Sequence, residues 1–408
     1  MRKTLLLFLS VFFLQFSHAQ SPEITSWILN TDSSKGYNNI LSNVQMVQYS
    51  ANNVYVSSTC IPGYDIGPWA GNPNTPANQN FVFKITRNPQ KNTGTLIATN
   101  LGHIGIWTNG VSIFNPKDAM SYNNQGVWNQ NAIVVEGPSF DDCLGHPAPN
   151  GEYHHHLNPT CLYNDSNATV HSPIIGFAFD GFPIYGAYGY SDTQGGGGIR
   201  RMQSSYHKRN ITKRTTLPGG AAASSAGPDV SGTYPIGYYI EDFEYIKGSG
   251  DLDEHNGRFC KTPEYPQGMY CYFVTLDSNL IAEYPYVLGT TYYGTVQSGN
   301  TGPGSGHNTI SESVTVYNGT NQTRMPESNA MRLFPNPAGE KVVLWLENGM
   351  PSNLKLELRN SSGTLVFSQD FIQPMVSNTL DLKELAPGMY HLSVFSGSMR
   401  WNRTLQIQ

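Results

Sequence analysis

Charge is what this chain has least of. Lys, Arg, Asp and Glu together make 13% of its 408 residues, with a net charge of -5. That weak balance makes no electrostatic case for DNA or RNA. The one dense basic stretch, Arg200-Arg201 through Lys208-Arg209 to Lys213-Arg214, reads as solvated loop rather than nucleic-acid surface. Long apolar runs are missing too. Past the N-terminal end none approaches the roughly 20 residues needed to span a bilayer, so no transmembrane segment is expected. No GxGxxG or Walker lysine is present, which removes a phosphate-cradling role for the tetraglycine Gly195 to Gly198. The absence of a GxSxG elbow removes the usual serine-hydrolase site. Cysteines number only 5. In an exported chain the sequence-near pairs Cys143 with Cys161 and Cys260 with Cys271 are the expected bridges, leaving Cys60 free, although other pairings stay open. Cys143, beside His146, is then oxidised rather than a thiolate nucleophile.

What the chain does have is turn-formers and aromatics: Gly 41, Pro 26 and Tyr 24, the composition of a loop-rich, mainly β protein. Met1-Arg2-Lys3, the apolar run Leu5 to Phe16 and the small-residue end Ser17-His18-Ala19 read as a signal peptide over residues 1–19. No cysteine follows the cut, so a lipoprotein anchor is not expected. About 390 residues remain, enough for two domains. Residues 20–295 form the first. From about Val296 to Ala330 the chain turns to Gly, Ser, Thr and Asn, a linker over 296–330, and residues 331–408 form the second.

The first domain reads as duplicated, with half-repeats at about 104–160 and 175–275. Ile104-Gly-Ile-Trp-Thr-Asn109-Gly110-Val-Ser-Ile113-Phe114 resembles Ile175-Gly-Phe-Ala-Phe-Asp180-Gly181-Phe-Pro-Ile184-Tyr185. Each is a β-hairpin signal, since Asn-Gly and Asp-Gly accept the positive φ of a two-residue turn. Downstream, Asp141-Asp-Cys-Leu-Gly-His146 and Gly-Glu-Tyr153-His-His-His pair with Asp253-Glu-His-Asn-Gly-Arg258 and Gly-Met-Tyr270-Cys-Tyr-Phe. In register, His146 aligns with Arg258, His154 with Cys271 and His156 with Phe273. One half thus makes the same backbone without the three imidazoles, so the fold does not need them; a site confined to the first half is the preferred reading, simple divergence of the duplicate the alternative.

As a strand, Tyr153-His154-His155-His156 sends His154 and His156 to one face and Tyr153 and His155 to the other. His146 lies a short loop away. His146, His154 and His156 are therefore the candidate metal ligands, and three neutral imidazoles suit a transition metal, copper or zinc, with a position left open for water or substrate. The competing account has these histidines satisfied by backbone carbonyls. His155 is expected to be exposed. Asp141, Asp142 and Glu152 are candidates for a fourth ligand or for holding an imidazole tautomer. For Asp141 a turn-capping role is preferred, because Asp253 occupies the same place in the half without histidines. Asp180 is read as a turn residue. His171 and His255 are possible further ligands. No catalytic residue is assigned.

The runs GEYHHHLNPTCL, DDCLGHPAPN, FAFDGFPIYGAYGY and LDEHNGRFCKTPEYPQGMYCYFVTL resemble the YHYH-domain family of secreted bacterial proteins, over most of residues 40–295. His155 stands where the family name has its second tyrosine, so His154 and His156 carry over and a role for that tyrosine does not. Leu333-Phe-Pro-Asn336-Pro, Leu380 to Tyr390 and the terminal run Trp401 to Gln408 resemble the C-terminal sorting domain of type IX secretion cargo, with Arg400 and Arg403 in place of the expected lysines. The resemblance implies an Ig-like β-sandwich for 331–408, the type IX secretion machinery as partner, and a secreted or cell-surface location. The expected protein is mainly β, an internally duplicated domain followed by a small sandwich, binding copper or zinc with or without turnover. The alternative is a metal-independent glycan-binding or surface-adhesion module using Trp69, Trp107, Trp128 and the tyrosines as stacking faces.

Overall fold

Eight short strands carry the duplication. The computed structural model describes residues 20–408 apart from 164, 166, 303, 320–330, 347–352, 361–363, 373–376 and 397–398. The expected leader and the end of the expected linker lie outside the described residues. Three strands open the chain, β1 (Val44–Tyr49), β2 (Asn53–Ser58) and β3 (Phe81–Thr86). The first half-repeat gives β4 (His103–Trp107), β5 (Ser112–Phe114), β6 (Gly145–Pro147) and β7 (Tyr153–His155). The second gives β8 (Ile174–Ala178), β9 (Pro183–Tyr185), β10 (Gly257–Cys260) and β11 (Met269–Phe273), and β12 (Thr315–Val316) follows. The eight repeat strands join in the order β10-β11-β9-β8-β4-β5-β7-β6. This order is a palindrome under exchange of the halves. Antiparallel β4 and β8, with Phe177 opposite Ile106, sit at its centre, so a pseudo-twofold axis runs between them.

The duplication extends to individual bonds. The Asp141 carboxylate accepts the N–H groups of Cys143 and Gly145 at 3.0 and 3.1 Å, and Asp253 accepts those of His255 and Gly257 at 3.0 and 3.2 Å. Tyr153 and Tyr270 each donate their hydroxyl to the aspartate of their own half, at 3.0 and 2.7 Å. Leu144 and Asn256 adopt the same left-handed conformation, φ 65 and 66°. The Asn109-Gly110 and Asp180-Gly181 turns match as well, but only the glycine of each goes left-handed, φ 82 and 90°. Gly110 N–H bonds Trp107 O and Gly181 N–H bonds Ala178 O, at 2.8 and 2.9 Å. These are three-residue loops with a glycine bulge, not the two-residue turns expected.

A second sheet, in the order β12-β1-β2-β3, packs into the same core. Alternating Phe81, Phe83 and Ile85 of β3 are buried in it beside Ile104, Ile106 and Trp107. Part of the expected linker is packed here. Asn300 and Asn308 lie along the outer edge of β3, where Asn300 accepts from Lys84 N at 3.0 Å and Asn308 donates to Val82 O at 2.9 Å. Together with main-chain bonds from Val82 N–H to Gly306 O at 2.6 Å and from Asn308 N–H to Val82 O at 3.0 Å, these amide side chains do for the edge what another strand would do, and Tyr317 beyond them is buried. Polar composition concealed this because several of the bonds come from amide side chains.

The basic stretch is only partly solvated. Arg214 is fully buried, donates to both carboxylate oxygens of Asp242 at 2.7 Å, and serves the carbonyls of Pro228, Tyr234 and Pro235.

The C-terminal segment has its own core. β13 (Met331–Phe334), β14 (Lys341–Leu346), β15 (Asn353–Asn360), β16 (Leu365–Ile372), β17 (Ser377–Asp381), β18 (Gly388–Ser396) and β19 (Met399–Ile407) form sheets β13-β14-β17 and β16-β15-β18-β19. Leu354, Leu356 and Leu358 alternate inward against Val342, Leu344, Leu392 and Val394, the two-sheet packing expected of period-two strands. Among the described residues no helix is long and apolar enough to cross a membrane.

Candidate metal centre

The three histidines converge because of strand register. His146 on β6 is directly opposite His154 on β7, and His156 follows His154 by two residues onto the same face. The Nε2 atom of His154 lies 3.1 Å from that of His146 and 3.1 Å from that of His156. Glu136 completes the group. It follows the short helix Ala132–Val135, and its Oε2 is 3.0 Å from His146 Nε2 and 3.1 Å from His156 Nε2. One ligand atom from each of the four lies within 4.8 Å of every other.

Each ring is fixed from behind. His154 Nδ1 donates to the Glu152 carbonyl at 3.0 Å and His156 Nδ1 to the Asn115 carbonyl at 2.8 Å. Ser139 Oγ gives its proton to the Glu136 carbonyl and lies 2.8 Å from His146 Nδ1, from which it accepts. With every Nδ1 a donor, the neutral rings present three bare Nε2 lone pairs to one another and to a carboxylate. Such a set can hold a cation at its centre. Phe114 stacks on His154 with ring centroids 3.9 Å apart, and Phe140 meets His146 edge-on at 4.9 Å. This apolar cage leaves the imidazoles buried, while the Glu136 side chain is 28% exposed. Burial, then repulsion from His156 and His146, holds His154 well below its ordinary 6.5.

The remaining candidates are placed elsewhere. Asp141 caps its turn, and Asp142 is exposed. Glu152 supplies its main-chain carbonyl to His154 while its carboxylate lies 2.6 Å from His103 Nε2. His171 and His255 bond the carbonyls of Ser172 and Thr291, away from the cluster. His155, expected to be exposed, is fully buried. Residues 60–69 cover its face of β7, with Cys60 Sγ bonded to Tyr153 O and Trp69 packed on Tyr153. Burial, with repulsion from His156 and His146, pushes His155 down to about 3, so it stays neutral. Trp107 and Trp128 are fully buried and offer no open stacking face, while Trp69 is half-buried with its indole N–H bonded to Asp141. Sequence reasoning missed Glu136. It belongs to no motif, and only the tertiary fold lays its helix over the histidines.

In the second half the same positions hold Arg258, opposite Cys271, and Phe273. The Arg258 guanidinium lies 5.6 Å over the Phe273 ring and donates to Tyr190 O. A built-in cation stands where the first half has three lone pairs.

No curated protein matches the chain. Residues 332–408 match the secretion system C-terminal sorting domain, so the protein is exported by type IX secretion to the cell surface or extracellular space. The family model of the YHYH protein matches residues 82–286, which take in both half-repeats and the Tyr153 to His156 strand, and the chain belongs to that family.

Proposed function

We propose that the first half-repeat binds one transition-metal ion, copper or zinc, through Nε2 of His146, His154 and His156 and a carboxylate oxygen of Glu136. The observation that carries this is the engagement of all three Nδ1 atoms as donors, which leaves three lone pairs facing one another. Nitrogen ligands about 2.0–2.1 Å from a shared zinc at tetrahedral angles stand about 3.3 Å apart, close to the 3.1 Å spacing of the rings. The carbonyls and hydroxyl behind the rings set tautomer and orientation, as outer partners of metal-bound histidine do. Arg258 at the equivalent place in the sister half supports the same electrostatic need.

Glu136 is the exposed donor, so water or a substrate oxygen reaches the ion from its side. An ion there would acidify that water or, as copper, exchange electrons. The chain supplies a caged imidazole platform outside the cell for hydrolytic or oxidative work on an extracellular molecule. Elemental analysis after metal loading tests the reading. Wild type is expected to keep about one equivalent per chain, and the His154→Ala/His156→Ala variant, folded by circular dichroism, to keep almost none. Equal and negligible metal in both refutes it.

A further inference from the structure

Behind the histidine cluster lies a buried ion pair that the fold alone does not explain. The side chains of His103, on β4, and Glu152 are 6 and 4% exposed, with His103 Nε2 2.6 Å from Glu152 Oε1. The other ring nitrogen, Nδ1, lies 3.2 Å from the Asn300 carbonyl and 3.2 Å from Ser305 Oγ. Phe81 and Phe83 of β3 meet the same ring edge-on at 5.2 and 5.5 Å, so it is fixed in place. The sister half again supplies the control. In register, His103 matches Ile174 and Glu152 matches Met269, both apolar. The backbone around them is repeated: the Met269 carbonyl meets the thiol of Cys271, the counterpart of His154, at 3.5 Å. Cys271 is a free thiol rather than half of the expected bridge to Cys260, whereas Cys143–Cys161 is formed. Burying an ion pair carries a desolvation cost that an apolar pair avoids, so stability does not account for His103 and Glu152.

We propose that His103 and Glu152 are positioning residues that orient His154 for its ion, resting on the metal binding already proposed. Two paths run from the pair to that ring. The Glu152 carbonyl faces His154 Nδ1 at 3.0 Å and also accepts Ala148 N–H at 2.9 Å. Anchoring the Glu152 side chain on His103 fixes where this carbonyl points. On the second path Phe114 bridges the two imidazoles, its ring centroid 5.3 Å from that of His103 and stacked 3.9 Å from that of His154. His154 is thus held on its face as well as at Nδ1. It is the central ligand, since its Nε2 lies 3.1 Å from that of His146 and 3.1 Å from that of His156. Groups behind a metal-bound histidine set the affinity of the site through the ring's orientation. The half without the histidines has neither member of the pair.

Copper(II) loading of the full chain tests this, with the sister half as template. His103→Ile/Glu152→Met replaces both members by their counterparts, so no charge is left buried alone and the fold should stand by circular dichroism. Competition with a chelator is expected to show copper(II) held roughly ten- to a hundredfold more weakly, and the electron paramagnetic resonance spectrum of the bound ion to shift. Glu152→Gln, which keeps an oxygen facing His103, is expected to keep most of the affinity and the wild-type spectrum. A double variant that binds as tightly as wild type, with an unchanged spectrum, overturns the proposal and leaves the metal site standing. One that no longer folds overturns it too, since the pair would then serve the fold. Wild type that takes up no copper overturns the metal binding and this proposal together.

Discussion

A neutral imidazole has one N–H and one lone pair, so fixing what Nδ1 does fixes what Nε2 can do. Ser139 is the weakest of the three supports, since its hydroxyl must pass a proton to the Glu136 carbonyl to accept from His146. Ser139→Ala should therefore lower metal affinity roughly ten- to a hundredfold with little change in Tm, read by competition with a chelator. Unchanged affinity would mean that His146 orientation does not matter. The three histidines were legible in the sequence because strand period and a short loop are local properties. Glu136 was not, because a carboxylate brought over by a separate helix leaves no spacing to read. His155 was misplaced because alternation distinguishes two faces but cannot say whether the second is covered.

Among elements, the duplicated hairpins β6–β7 and β10–β11 offer a controlled comparison. Gly145 and Gly257 each lie against the tyrosine ring of their own half, with no room for a Cβ. Alanine at either position is expected to cost about 1–3 kcal/mol through overpacking, equally in both halves by denaturant titration, while metal affinity falls only for Gly145→Ala. A loss of metal from Gly257→Ala would contradict a site confined to the first half. The loop between Lys208 and Phe243 depends on Arg214. Removing its guanidinium leaves the Asp242 carboxylate buried and unpaired, so Arg214→Ala should destabilise by about 3–5 kcal/mol, visible as a large fall in Tm. The repeats themselves were readable from matched Gly, Tyr and Asp positions, since backbone geometry selects those residue types in both halves. The packed course of 299–317 was not, since amide side chains bonding a strand edge have the composition of a linker.

At the scale of the whole molecule, stability should respond to pH through Asp180. Fully buried and bonded to Tyr272 and Gly294, its carboxyl is pushed by burial from 3.8 to about 6. The folded state then binds the proton more tightly than the unfolded chain, so this group's contribution to stability falls as pH rises from about 4 to about 6 and is level above. The loss is on the order of 3 kcal/mol. Asp180→Asn, which copies Asn109 of the other half, should flatten that part of the stability profile in urea titrations. An unchanged slope would mean that Asp180 is not its source.

Everything proposed about function depends on one ion held by three imidazoles. Crystals of the metal-loaded protein, measured at the absorption edge of copper or zinc, test this directly. The account predicts one anomalous peak roughly 2.0–2.2 Å from Nε2 of His146, His154 and His156, with Glu136 beside it. Loaded crystals with no peak there, or with the ion at another histidine such as His171 or His255, would contradict it.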